Sequence, residues 1–355
     1  MILASSPLMR ARYGLAFIIA AALAAAACQA PEPASSTHYI SGPTMGTQYT
    51  VRVVADDLPS ARIYEIESEV GEALEEIDSK MSHYLEDSEL SQLNRWREAE
   101  PFPVSAETLE VLQHAKDINS ATGGAFDITV GPLVNAWGFG PPGRPTEPPG
   151  EDEIERLLEL TGSDLIEVDR ATSTVTKKLP DLSLDLSAIA KGYAVDQVAD
   201  ALDAKRIANY MVEVGGEVRT RGQNAQGEAW KIGIERPVPG ESAIDLIVPL
   251  SDLAMATSGD YRNYYEESGQ RISHTIDPRT GHPLTHNVAS VSVVAPLCVR
   301  ADAYATALLV LGPEGFDLAE QLGLAAYFLQ RDKEGRFVGR MTLAFRNLLG
   351  EEETE

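Results

Sequence analysis

Apolar residues recur at helical spacing in Ile63, Ile66, Val70, Leu74, Ile77 and Met81, which predicts an amphipathic helix with one buried stripe. A second helix is expected over 106–119, with Pro103 ahead of it and Gly123-Gly124 behind it as start and stop signals. EDEIERLLELTG reads as another, and Ser187 is expected to cap a helix reaching about Lys205. Helix returns from Arg300 and again over 316–322. Strand patterns cover 39–54, interrupted by GPTMGT, and two short segments between 165 and 186. MVEVGGEVRTRG, WKIGIERP, DLIVPL and VASVSVVAP follow, joined by turn residues, and two more strands close the chain. Helices and strands mix without strict alternation. The expectation is therefore an α+β fold, with mixed sheets and flanking helices in one two-lobed domain over 39–350. The Pro- and Gly-rich GFGPPGRPTEPPG is expected as a surface excursion within it.

The start of the 355-residue chain has a different character. Arg10 and Arg12 precede an apolar run from Tyr13 to Ala27 that ends at Cys28, the layout of an export signal over 1–27. The run is short for a membrane span, which needs about 20 apolar residues. A cysteine directly after small residues points to lipid attachment at Cys28, although Ala25 stands where such signals usually carry leucine. Pro- and Ser-rich residues then read as a tether over 28–38. With Cys28 lipidated, Cys298 has no disulfide partner and reads as a small buried hydrophobe.

The formal charge of −25 argues against nucleic acid as a partner. An anionic ligand must then meet a local cation, a metal or helix N-termini.

Four segments carry candidate chemistry. SHTIDPRTGHP sets His274 and Asp277 beside a Pro/Gly turn, as a base and the group that orients it or shares its task, or as a turn histidine. VRADAYATALLVLG puts Asp302 and Thr306 four residues apart on one helix face, hard oxygens suited to Mg²⁺ with substrate phosphates. Spacing alone favours an ordinary helix-start carboxylate and a backbone-bonding threonine. DLSAIAKGYAVDQVAD offers Asp185, Ala188 and Lys191 where a strand turns into a helix, either a phosphate cradle or a well-capped helix with a surface lysine. TGGAFDITVGPL offers Ala125, Phe126 and Asp127 beside glycines, a place for a planar ring or a turn with a core phenylalanine. Met45 and Tyr84 are further ring contacts or core residues.

In this order GPTMGT, MSHYLEDSELSQLN, TGGAFDITVGPL, DLSAIAKGYAVD, VEVGGEVR, ATSGDYRNYY, SHTIDPRTGHP and ADAYATAL resemble the motifs of the ApbE family, the FAD:protein FMN transferases. The likeness spans about residue 40 to residue 312. It implies Mg²⁺-dependent transfer of FMN from FAD to a threonine or serine hydroxyl of another protein, with AMP leaving. Carried over residue by residue, it implies FAD contacts at Met45, Tyr84, Ala125, Phe126, Asp127, Asp185, Lys191 and Ile276. The metal falls on the Ala188 carbonyl, Asp302 and Thr306, and His274 assists deprotonation of the acceptor hydroxyl. Some members carry a second carboxylate where this chain has Ala305. The acceptor it implies is a flavin-carrying subunit of a membrane electron-transport complex. Export and a lipid on Cys28 would set the enzyme on the periplasmic face of a bacterial membrane, the inner one favoured. Two other readings share these residues: a Mg²⁺-dependent FAD pyrophosphatase, and a flavin-binding lipoprotein without chemistry.

Overall fold

The computed structural model describes residues 36–238, 243–260, 264–267 and 270–350. The expected export signal, Cys28, most of the expected tether and the acidic end at 351–355 lie outside the described residues. Among the described residues no helix is long and apolar enough to cross a membrane.

The interrupted first strand is a hairpin, β1 (Ser36–Thr44) and β2 (Thr47–Ala55), closed by Met45 and Gly46, both at positive φ. The expected amphipathic helix is α1 (Ser60–Met81), burying Ile66, Val70, Leu74, Ile77 and Met81. A short helix α2 (Glu89–Arg95), a strand β3 (Phe102–Pro103) and α3 (Ala106–Ala121) follow. Beyond them come α4 (Gly131–Ala136), the loop over 138–150, α5 (Glu151–Leu158), and strands β4 (Ile166–Asp169) and β5 (Thr174–Lys177).

The next helix, α6 (Ala190–Ala204), starts later than expected. Ser187 does not cap it: the Ser187 N–H donates to Asp185 Oδ1 at 2.8 Å, and residues 187–189 form a separate turn. After α6 run β6 (Tyr210–Val214), β7 (Glu217–Arg221), β8 (Trp230–Glu235), β9 (Ile244–Leu250) and β10 (Ala254–Gly259). A ribbon of β11 (Tyr264–Glu267) and β12 (Gln270–Ser273) precedes β13 (Val288–Ala295) and α7 (Cys298–Leu311). The chain closes with α8 (Pro313–Gln321), β14 (Ala325–Arg331), β15 (Phe337–Met341) and an unanticipated α9 (Leu343–Leu349).

Eight strands form one sheet in the order β1-β2-β6-β7-β10-β13-β14-β15. Every strand pair among the described residues is antiparallel, so the α+β class stands while its sheets are antiparallel rather than mixed. Helices α1, α3, α6 and α7 cover one face with the main core, which takes in Val51, Val212, Ala256, Val293 and Leu308. The β8–β9 hairpin and α9 cover part of the other face through Trp230, Ile232, Val248 and Phe345. With both faces covered, all eight residues of β13 are buried, which suits a strand that is apolar on both faces except for Ser290 and Ser292.

Charge alternation ties β7 to α6. Glu217, Arg219 and Arg221 face the helix and pair with Lys191, Asp196 and Asp203. Asp196 also accepts the N–H groups of Cys298 and Val299 at 3.0 and 2.9 Å, so a side chain of α6 caps the start of α7. These contacts hold together the two helices that carry Lys191 and Asp302.

Candidate functional site

A cleft of about 590 Å³ opens where the α6 and α7 N-terminal turns, the sheet and the β8–β9 hairpin meet. Its lining includes Tyr84, Ala125, Phe126, Asp127, Asp185, Ala188, Lys191, His274, Ile276, Asp302 and Thr306. The structure therefore brings eleven of the thirteen residues singled out from the sequence to one cavity.

At one end lies a charged corner. Asp302, 2 % exposed, accepts a hydrogen bond from the Gly192 N–H at 2.9 Å, and Lys191 Nζ stands 3.8 Å from the same oxygen. Lys191 makes a closer ion pair with Glu217. Burial opposes the charge on Lys191, yet Asp302 and Glu217 hold its pKa above the usual lysine value. Burial also raises the Glu217 carboxyl to about 7, with Asp302 adding to the rise and Lys191 opposing it. One turn along α7, Thr306 Oγ1 lies 2.8 Å from Ser258 Oγ of β10.

A second group lines the mouth. Asp185 faces His83 at 3.3 Å between Oδ1 and Nδ1, and Tyr84 lies against the His83 ring at 4.4 Å. Burial alone would depress the His83 imidazole, but the Asp185 carboxylate holds its pKa above the ordinary value. The Tyr84 hydroxyl donates to the Phe139 carbonyl at 3.1 Å. Phe139 in turn stacks on Tyr265 and meets the His274 ring edge-on. Half-buried His274 thus sits in an aromatic rim.

Asp277 does not orient it. The Asp277 carboxylate takes Arg279 Nε at 2.9 Å, Arg279 Nη2 at 2.7 Å and the Arg279 N–H at 2.9 Å. The Asp277 carbonyl accepts the N–H groups of Thr280 and Gly281, so this aspartate builds the turn and does not line the cleft. Met45 is also outside the lining, half-buried at the β1–β2 turn against the main core. Asp127 lines the cleft but gives its carboxylate to the Thr129 N–H and hydroxyl and to Asn119, capping a short 3₁₀ turn.

Two residues escaped the sequence reading. Glu217 is announced by the charge alternation of GEVRTR, which marks a strand facing a charged helix. His83 carries no local signal, because Asp185 reaches it from a distant segment.

Residues 45–328 match the model of the ApbE family. The chain belongs to the ApbE family. It is 42 % identical over 335 residues to the FAD:protein FMN transferase of Haemophilus influenzae, covering 93 % of this chain and 96 % of that protein. The Vibrio cholerae FAD:protein FMN transferase is 43 % identical over 318 residues, covering 89 % and 93 %. The solved flavin transferase ApbE from Vibrio cholerae superposes with a TM-score of 0.81 at 41 % identity, over 88 % of this chain and 99 % of that one. The apo flavinyl transferase ApbE of Pseudomonas stutzeri gives 0.81 at 38 % identity, over 89 % and 98 %. The family likeness thus covers the whole cleft, from the hairpin turn before it to the strand behind α7.

Proposed function

We propose that this chain acts as an FAD:protein FMN transferase, the enzyme its relatives are named for. The observation that carries the reading is the convergence of Lys191, Asp302, Thr306 and His274 on one cleft with an aromatic rim. FAD would enter with its ring system among Tyr84, Phe126 and Ile276 and its diphosphate toward Lys191. The acceptor hydroxyl oxygen attacks the phosphorus on the FMN side. A bond forms from that oxygen to phosphorus, and the bond from that phosphorus to the bridging oxygen breaks. AMP departs with the bridging oxygen, and the hydroxyl proton passes to the His274 imidazole.

The Ala188 carbonyl, the buried Asp302 carboxylate and the Thr306 hydroxyl line one end of the cleft and are all hard oxygen donors, a set that suits Mg²⁺. Among the described residues no cluster of three or more His, Cys, Asp or Glu side chains could hold a metal, so substrate oxygens would complete the shell. Bound there, Mg²⁺ would supply charge neutralisation at the diphosphate. Lys191 contributes to that neutralisation in a chain of strongly negative net charge.

The export signal and the cysteine at its end support a lipid-anchored enzyme on the periplasmic face of a bacterial membrane, the inner one favoured. An acceptor within a membrane electron-transport complex fits that location.

Incubating the purified chain with FAD and Mg²⁺, with and without a flavin-free acceptor protein, tests the reading. Protein-linked flavin fluorescence on the acceptor is the expected result. AMP release that is the same with and without acceptor, and no linked flavin, would make the chain a hydrolase.

A further inference from the structure

We propose that the acceptor polypeptide binds as an extended strand along the edge of β8 that is turned away from β9. This inference rests on the transferase reading, because that reaction requires a second protein at the cleft.

Successive residues of a strand point to opposite faces of its sheet. Ile232 is buried and faces inward, in the core cluster that also holds Val218 and Met255, whereas Gly233 next to it faces outward and is exposed. Both line the cleft. Two neighbours of opposite facing can border one cavity only where the cavity meets the strand along its edge. Among the described residues β8 has one hydrogen-bonded neighbour, β9, with Gly233 opposite Ile247 and Ile232 opposite Val248. The β8 edge away from β9 is therefore a wall of the cleft. Half of a strand's N–H and C=O groups point along such an edge, spaced to pair with another extended chain.

Gly233 supports the same conclusion. Glycine inside a strand costs roughly 0.5–1 kcal/mol relative to alanine and often marks a close backbone approach. Nothing among the described residues demands it. Its φ is not positive, and an added Cβ would meet only Ile244 side-chain atoms at 3.5 to 3.7 Å, an ordinary contact. The bare backbone therefore serves a group from outside the chain.

The occupant is a polypeptide rather than FAD. The groups suited to FAD lie on Tyr84, Phe126, Asp185, Lys191 and Ile276, none of them on the hairpin. The hairpin's outer face carries exposed Ile244 and Ile247 beside Gly233. A peptide on β8 would set alternate side chains on that apolar strip and the others into the cleft, where the accepting hydroxyl must go.

The probe is a flavin-free recombinant protein whose native form carries FMN on a threonine. Hydrogen exchange on the wild-type chain is expected to slow at the backbone amides of 230–235 when this probe is added. Gly233→Val is expected to raise the KM for the probe by about tenfold, the scale of one lost interface anchor, while FAD affinity by fluorescence quenching holds. Ile247→Ser, at an exposed position, is expected to raise the same KM in the same assay. Flavin transfer with no change in β8 exchange would overturn the docking and leave the transferase reading intact. An equal loss of FAD affinity in Gly233→Val would assign the edge to FAD instead. Absence of transfer by the wild-type chain would overturn the reading beneath both.

Discussion

The Gly192 backbone N–H donates to the Asp302 carboxylate at 2.9 Å, so the first turn of α6 positions the carboxylate presented by α7. A Cβ on residue 192 would lie 2.5 Å from the Cys298 carbonyl oxygen and 2.7 Å from Asp302 Cβ. Gly192→Ala must push the two helices apart. The expected cost is about 1–3 kcal/mol of stability, the range for overpacking a tight contact, with a larger loss of transfer because Asp302 moves. Denaturant unfolding beside a transfer assay reads both. Unchanged stability would mean that the helices accommodate a methyl group.

Asp302→Asn keeps an oxygen that can accept from Gly192 but removes the charge. Unfolding should change little, while Mg²⁺-dependent AMP release falls by about a hundredfold or more, as expected when an electrostatic group at the transferring phosphorus is lost. Full activity of this variant would remove Asp302 from the metal site.

His274→Gln is expected to abolish flavin transfer while FAD still binds, because its proposed work is on the acceptor proton rather than on the cofactor. Fluorescence quenching by FAD and acceptor labelling separate the two effects. A proportional loss of both would make His274 a binding residue.

Asp277→Asn tests the opposite role. Its carboxylate holds Arg279 and its own turn, so about 1–3 kcal/mol of stability should go, the cost of breaking a buried charge-assisted bond. The dependence of transfer rate on pH should keep its wild-type shape. A shifted pH profile would restore Asp277 to the chemistry.

The His83–Asp185 pair makes a pH-dependent contribution to stability. Asp185 holds the His83 pKa above its unfolded value against the effect of burial, so on the His83 side the contribution is complete below the ordinary histidine range. It is lost as pH rises through the folded value. The Asp185 carboxyl moves the other way: burial would raise it, but hydrogen bonding and charge from His83 hold it below the usual range, and its share is lost only in acid. Thermal melting should therefore fall more steeply as pH rises above the ordinary histidine range in the wild-type chain than in His83→Gln. Parallel curves would show that the pair contributes nothing.

Local pattern alone determined much of this protein. The period of Ile66, Val70, Leu74 and Ile77 specifies α1, because a helix repeats its face every three to four residues. The ordered motifs named the family and most of the cleft residues. AMATSG hid β10, since small residues lack the strand signature and their burial comes from β7 and β13 on either side. Tertiary structure decided the rest. It gave the Asp277 carboxylate to Arg279 rather than His274, and put His83 on Asp185. It also set Glu217 against Lys191 and turned the edge of β8 into a wall of the cleft. Each of these depends on which distant segments approach one another in space. Periodicity records which face of an element is buried, but not which side chain of another element meets it there.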